Sequence, residues 1–91
     1  MQHKNSKKAK IVVDLLGQVI HEERVKLGKS QRLLADEYGV EKSLVNRMEK
    51  ASNEPKIVSI FTVAELLGMK PSELLKRVED RLPKGFSVLE D

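Results

Sequence analysis

Apolar residues in the first third of the chain recur at intervals of three, four and seven positions, which is the spacing of one face of an α-helix. The pattern predicts a first helix from about residue 12 to residue 27, and Gly28 follows as a helix terminator. The apolar face of this helix consists of Leu16, Val19, Ile20 and Leu27. We expect it to form part of the core.

A short second helix and a third helix are predicted next. Ser30 is a favourable N-cap for the second helix, and Gly39 suits the left-handed position that ends it. The apolar residues of the second helix are Leu34, Ala35 and Tyr38, and those of the third are Leu44, Val45 and Met48. The third helix runs to about Lys50. Only the tight turn at residues 39–41 separates the two helices, which is typical of a helix-turn-helix.

Two further helices are predicted after the loop at residues 51–55. The fourth extends to Gly68, and its apolar stripe consists of Ile57, Ile60, Val63, Ala64 and Leu67. Pro71 suits the first position of the fifth helix, and Glu73 lies near its positive end. The stripe of the fifth helix consists of Leu74, Leu75, Val78 and Leu82. The whole pattern predicts an all-α chain of five helices.

The length of 91 residues favours a single domain. Residues 1–10 are polar and rich in lysine, and we expect a flexible basic arm there. Residues 11–82 form the predicted helical domain, and residues 83–91 form a C-terminal tail. Apolar residues make up 40% of the sequence but include only one Tyr, two Phe and no Trp, which predicts a core of Leu, Ile and Val.

The formal net charge of +3 is concentrated near the N-terminus. Four lysines and no acidic residue occur in the first ten positions, namely Lys4, Lys7, Lys8 and Lys10. From Ile11 onward, 13 basic residues are balanced by 14 acidic ones. A positive surface for nucleic acid is therefore expected only as a local patch or in the arm itself.

Several classes of site are disfavoured by composition. The chain has no Cys, which excludes disulfides, thiolate metal sites and thiol nucleophiles. His3 and His21 are isolated, and no Ser, His and carboxylate form a recognisable arrangement, so we expect no enzymatic activity, metal or cofactor. The apolar stretches are far shorter than the ~20 residues of a membrane span, and we expect neither a signal peptide nor a membrane helix. These features predict a cytoplasmic protein.

The spaced residues resemble the lambda repressor and Cro type of helix-turn-helix domain (XRE-like), found in phage repressors and bacterial regulators. The resemblance covers roughly residues 16 to 75. The residues that carry it are Leu16-Gly17, Ile20, Arg24, Ser30-Gln31, Leu34-Ala35, Gly39-Val40, Ser43, Val45, Arg47, Glu49, Asn53, Pro55, Ile57, Ile60, Ala64, Leu67-Gly68-Met69 and Ser72-Glu73-Leu74-Leu75. The resemblance implies a five-helix domain that binds double-stranded DNA through helices two and three.

In such a domain the third helix enters the major groove, where each base pair presents a distinct pattern of donors and acceptors. The candidate base-reading residues are Lys42, Ser43, Asn46 and Arg47. The guanidinium of Arg47 suits the O6 and N7 of guanine, and Asn46 suits adenine better than Ser43 does.

Contacts with the DNA backbone are predicted around the start of the second helix. The resemblance places Gln31 near a phosphate, with the free N–H groups of the helix N-terminus behind it. Further candidates for phosphate contacts are Lys29, Arg32, Lys50, Ser52, Asn53 and Lys56. The resemblance also implies a partly buried ion pair between Arg24 and Glu49. Glu41 departs from the family pattern, which favours a Ser or Thr cap there.

Members of this family usually bind palindromic sites as twofold dimers, and repression is the expected outcome. The candidate dimer residues are Leu75, Val78, Leu82, Phe86 and Val88, although closing the monomer core would explain them equally well. The alternative function is a protein-interaction module of the same fold, either an antitoxin or a coactivator. Polar residues on the third helix favour DNA binding over a pure coactivator, and the short tail disfavours an antitoxin.

Overall fold

The computed structural model describes residues 7–89, and their regular structure consists of five helices. These are α1 (Lys7–Lys26), α2 (Gln31–Tyr38), α3 (Ser43–Lys50), α4 (Ile57–Leu66) and α5 (Pro71–Arg81). The predicted all-α class with five helices is confirmed. No helix in residues 7–89 combines the length and apolarity needed to cross a membrane.

The core lies between the apolar faces of all five helices. It consists of Leu16, Val19, Ile20, Leu34, Val45, Met48, Val63, Ala64, Leu66, Leu67, Leu74 and Val78. The longest helix, α1, packs against both α3 and α5, while α4 contacts α2, α3 and α5. This aliphatic packing holds α2 and α3 in a fixed relation to the rest of the molecule.

The ends of α2 follow the predicted capping chemistry. The Ser30 side chain accepts a hydrogen bond of 3.0 Å from the N–H of Leu33. Gly39 adopts a left-handed conformation with φ of 67°, and Val40 N–H donates to the carbonyl of Ala35 at 3.1 Å. A left-handed residue at this position reverses the chain direction, which brings α3 close behind α2.

The first helix begins earlier than its apolar pattern predicts. Residues 7–10 form the start of α1 instead of belonging to an arm. Tertiary contacts accompany the extension: Lys10 Nζ donates to the carbonyl of Ala51 at 3.1 Å, and Lys8 Nζ donates to the carbonyl of Leu89 at 2.9 Å. The first six residues of the predicted arm lie outside the described residues.

Four residues assigned to apolar stripes are exposed instead of buried. One of them, Leu75, lies within α5 and is 39% exposed, and the other three lie at or beside helix ends. Leu27, Tyr38 and Ile57 are 46%, 55% and 61% exposed. Leu27 follows the end of α1, Tyr38 is the last residue of α2 and Ile57 is the first of α4. At these helix ends few neighbouring residues are available to cover an apolar side chain, so the periodic pattern overestimates the core.

The predicted dimer residues fall into two groups. Val78 is only 4% exposed and belongs to the monomer core, so it offers no surface to a partner. Leu75 and Val88 are 39% and 37% exposed, whereas Leu82 and Phe86 are half-buried. The sequence alone did not distinguish Val78 from the other four, because all of them share the apolar character of α5 and the tail.

Candidate nucleic-acid interface

The orientation of α3 is set by its apolar side chains. Val45 is fully buried and Met48 is 7% exposed, and both lie in the core. Polar residues therefore occupy the outer surface of the helix. Of the candidate base-reading residues, Lys42 and Arg47 are exposed, while Ser43 and Asn46 are half-buried.

A close backbone contact fixes the distance between α3 and α1. A Cβ atom at Gly17 would lie 2.8 Å from the carbonyl oxygens of both Met48 and Glu49. No side chain fits in this space, because both neighbours are backbone atoms of α3. Glycine at this position therefore allows the end of α3 to rest directly on α1.

Arg24 and Glu49 form a bidentate ion pair across the same contact. Arg24 Nε lies 2.6 Å from Glu49 Oε2, and Nη2 lies 3.1 Å from Oε1. The third guanidinium nitrogen, Nη1, donates to the carbonyl of Lys29 at 2.9 Å. The side chains of Arg24 and Glu49 are only 13% and 8% exposed. The arginine thus links α1, the segment before α2 and the end of α3.

The Glu49 carboxylate also binds two polar side chains that line the outer surface. Its Oε1 accepts from Gln31 Nε2 at 3.1 Å and lies 2.9 Å from His21 Nδ1. Burial raises the pKa of Glu49, but hydrogen bonds from Arg24, His21 and Gln31 together outweigh it and leave the pKa below its usual value. The carboxylate therefore holds Gln31, a candidate for phosphate contact, at the start of α2.

His21 was not predicted as part of this network. It precedes Arg24 by three residues on α1, so the two side chains share one face of the helix. That spacing was the available signal, but no pattern in the sequence connects the histidine with Glu49. The folded chain brings the two residues together across 28 positions.

A second polar cluster lies at the N-terminal end of α3. Arg47 Nη1 donates to Glu41 Oε1 at 2.6 Å and to Ser43 Oγ at 2.5 Å. Ser43 Oγ also lies 2.5 Å from the same Glu41 oxygen. The hydroxyl of Ser43 and the guanidinium of Arg47 lower the pKa of Glu41. Two candidate base-reading residues thus share one carboxylate, and the sequence pattern assigns Glu41 no functional role.

Most of the candidate DNA-contacting residues line two open grooves. One groove is lined by Gln31, Arg32, Lys42, Ser43 and Asn46. The other runs between α3 and the loop that follows it, and its lining includes Arg47, Ser52, Asn53 and Lys56. Lys50 lines a third depression together with Gln31 and Asn46. The structure therefore places residues from α2, α3 and the next loop around the exposed side of α3.

The basic candidates differ in their ion pairing. Lys29 Nζ lies 2.9 Å from Glu37 Oε1, and this carboxylate raises the pKa of Lys29. Arg32 lies 3.9 Å from Asp36. Among the described residues, Lys42, Lys50 and Lys56 have no acidic partner within 4.0 Å. These three lysines are free to bind anions. No cluster of three or more metal-ligating side chains occurs in residues 7–89.

Comparison with known proteins gives one family. A helix-turn-helix family model (HTH_3) matches residues 20–74, which is more than half of the 91-residue chain. The matched region includes α2, α3 and α4 completely, together with the end of α1 and the start of α5. Neither the curated proteins nor the solved structures give a match.

Proposed function

Because the chain belongs to the helix-turn-helix family of lambda repressor-like, XRE-type DNA-binding transcription regulators, we propose that it represses transcription by binding a palindromic operator as a homodimer. The observation that carries this proposal is the first groove, where Gln31 and Arg32 of α2 lie beside Lys42, Ser43 and Asn46. All five side chains carry hydrogen-bonding groups suited to phosphates or base edges. The proposed repressor acts in the cytoplasm and has no catalytic activity.

Base recognition is assigned to α3. Its buried residues fix its outer face, and the major groove is wide enough to admit one helix. Arg47 is the leading candidate for guanine, with Asn46 for adenine. Lys42 and Ser43 complete the set at the N-terminal end of the helix, which is the end that contacts bases in this type of domain.

Phosphate contacts are assigned to the residues around that helix. Gln31 is the first residue of α2, where unpaired backbone N–H groups favour an anion. Lys50 supplies positive charge in the depression that it shares with Gln31, and Lys56 supplies it in the groove between α3 and the next loop. Lys29, Arg32, Ser52 and Asn53 are the remaining candidates. Lys29 and Arg32 must exchange a carboxylate for a phosphate, so we expect a smaller contribution from them.

The dimer is assigned to the apolar residues that remain accessible at the C-terminal end of the domain. These are Leu75, Leu82, Phe86 and Val88. A twofold dimer would place its two recognition helices in half-sites about 34 Å apart, one turn of the duplex. Sedimentation equilibrium over a range of concentrations tests this part, and a monomer mass at every concentration, with and without operator, excludes it.

Selection of binding sites from randomised duplexes near physiological salt tests the whole proposal, using wild type and Arg47→Ala. We expect wild type to enrich a palindrome and the variant to relax one base position in each half-site. Weak, salt-sensitive binding without enrichment would reject a sequence-specific repressor. That result would direct the search to a protein partner, as expected for an antitoxin or coactivator of the same fold.

A further inference from the structure

We infer that Glu41 determines sequence specificity by positioning Arg47, so that one edge of the guanidinium is held and the other is presented to a base. This inference rests on the proposed function, in which Arg47 contacts guanine. The carboxylate lies in the turn before α3 and binds Arg47 only through Nη1, at 2.6 Å. Among residues 7–89, Nε and Nη2 of Arg47 have no hydrogen-bond partner.

Arg24 and Arg47 differ in how many guanidinium nitrogens are hydrogen-bonded within the protein. Arg24 uses Nε, Nη1 and Nη2 in hydrogen bonds within the protein, and its side chain is 13% exposed. Arg47 uses one nitrogen, and its side chain is 54% exposed. The Nε and Nη2 hydrogens point in parallel and match the two acceptors of guanine, O6 and N7. The cluster leaves this pair of donors available.

The side chain of Glu41 does not cap α3, although its backbone carbonyl accepts a hydrogen bond of 3.2 Å from the N–H of Leu44. The family favours a Ser or Thr cap for this helix, but here Lys42 is the N-cap and no side chain caps the helix. The Glu41 carboxylate is turned instead toward Ser43 and Arg47, and its side chain is 68% exposed. Its contacts are therefore with the residues that we assign to base recognition.

A carboxylate beside a base-reading arginine has two effects on DNA binding. It restricts the rotamers of a long side chain, so less conformational entropy is lost when the bidentate contact forms. It also repels phosphates, which lowers the affinity of the whole face for DNA of any sequence. An isolated exposed ion pair orders its arginine weakly. Here Ser43 Oγ contacts both Glu41 and Arg47, so three groups restrain one another.

The test is a double-mutant cycle on the operator selected by wild type. Dissociation constants are measured for that duplex and for one in which the guanine pair assigned to Arg47 is replaced. The proteins are wild type, Glu41→Gln, Arg47→Ala and the double variant. Glutamine keeps the size of the side chain but removes its charge. Because both residues are exposed, thermal unfolding should be unchanged, which is checked first.

We expect wild type to prefer the guanine duplex by about tenfold or more, as a bidentate contact provides. Glu41→Gln should lower this preference at least about threefold while tightening binding to the replaced duplex. Arg47→Ala should abolish the preference. In the Arg47→Ala background, Glu41→Gln should change the ratio of the two dissociation constants no further.

The control is Glu54→Gln, which removes a carboxylate from the groove that also contains Arg47. Glu54 has no basic partner within 4.0 Å among the described residues. This change should strengthen binding to both duplexes equally and leave the ratio of the two dissociation constants unaltered. If Glu54→Gln alters the ratio as much as Glu41→Gln does, the effect is general electrostatics and the inference is wrong.

The same measurements distinguish a failure of the inference about Glu41 from a failure of the role assigned to Arg47. If Arg47→Ala removes the guanine preference but Glu41→Gln does not reduce it, Glu41 is not a positioning residue and the proposed function stands. If Glu41→Gln reduces the preference equally with and without Arg47, the carboxylate acts on the DNA directly and the inference is again overturned. If no base preference depends on Arg47, both the inference and the assigned role of Arg47 fail.

Discussion

At the scale of single residues, Arg24 joins α1, the segment before α2 and the end of α3 through hydrogen bonds from all three of its guanidinium nitrogens. Replacing it with Met keeps the apolar stem but leaves the Glu49 carboxylate, which is 8% exposed, without its bidentate partner. A carboxylate left in that environment is costly, although His21 and Gln31 still bind it. We expect Arg24→Met to lower the free energy of unfolding by about 2–3 kcal/mol in urea denaturation.

Lys76→Met is the matched control for this prediction. Lys76 Nζ lies 2.7 Å from Asp80, and its side chain is 66% exposed. Exposed pairs one helical turn apart contribute little, so the urea midpoint should stay close to that of wild type. An equal loss in both variants would show that the Arg24 pair contributes no more than a surface pair.

The lowered pKa of Glu49 also predicts a pH dependence. Since the folded state favours the ionised carboxylate, the stabilisation is fully present above the usual pKa of 4.5 and is lost as the pH falls through the lowered folded value. Wild type should therefore be more stable than Glu49→Gln near neutral pH, and the difference should shrink below about pH 4.5. Urea titrations of both proteins between neutral and acidic pH measure this difference in the free energy of unfolding. Glu22 and Glu41, whose pKa values are also lowered, are common to both proteins and cancel. A constant difference at every pH would contradict the prediction.

The Arg24–Glu49 pair could be predicted from the sequence, but the other side chains around it could not. The family pattern suggested that Arg24 and Glu49 pair, because both belong to positions that recur in it. It gave no sign that Gln31 and His21 would bind the same carboxylate, since side chains 18 and 28 positions apart from Glu49 meet only after folding. Glu41 was interpreted only as a poor cap, because its contact with Arg47 depends on the path of the turn.

At the scale of elements, the contact between α1 and α3 depends on Gly17. Adding a methyl group there would place it 2.8 Å from two carbonyl oxygens of α3, so the helices must separate. Overpacking of this kind costs about 1–3 kcal/mol, and the better helix propensity of Ala recovers up to about 1 kcal/mol. We expect Gly17→Ala to lower the unfolding free energy by about 1–2 kcal/mol.

DNA binding should weaken in Gly17→Ala even where the protein stays folded, because the recognition helix is displaced. Calorimetry or urea denaturation gives the stability, and fluorescence anisotropy with the selected operator gives the affinity. Gln18 is an exposed neighbour of Gly17 on α1, and Gln18→Ala should retain the stability and the DNA affinity of wild type. Unchanged stability and affinity in Gly17→Ala would mean that α3 adjusts its position without loss.

The helices themselves were largely predictable, and their ends were less so. Apolar periodicity located all five, because each buries one stripe in the same core. The start of α1 was placed about five residues too late, because the extension is associated with contacts from Lys8 and Lys10 to distant carbonyls. Such contacts leave no periodic signal.

At the scale of the whole molecule, the charge balance limits how the protein can hold DNA. From Ile11 onward acidic residues exceed basic ones by one, so attraction to DNA must come from where the charges lie. Many basic side chains of the domain are engaged with carboxylates, including Arg77 with Glu23 and Arg81 with Glu22 between α5 and α1. Lys42, Lys50 and Lys56 have no acidic partner among the described residues, and all three lie on or beside α3. The other lysines without such a partner belong to α1, to the start of α5 or to the tail, namely Lys7, Lys8, Lys70 and Lys84.

This distribution predicts which lysines govern the salt dependence of binding. Each phosphate contact that is lost should reduce the slope of log affinity against log salt concentration by about 0.9 for duplex DNA. Lys50→Gln should therefore lower the slope by about 0.9 without altering the preferred sequence, because phosphates carry no base identity.

Lys76→Gln removes the same charge from α5, where the residue is paired with Asp80, and should leave the slope unchanged. Anisotropy titrations of the selected operator across a series of salt concentrations measure both slopes. If the Lys76 variant shows the larger loss, the duplex lies along α5 instead of α3, and the assignment of α3 as the recognition helix is wrong.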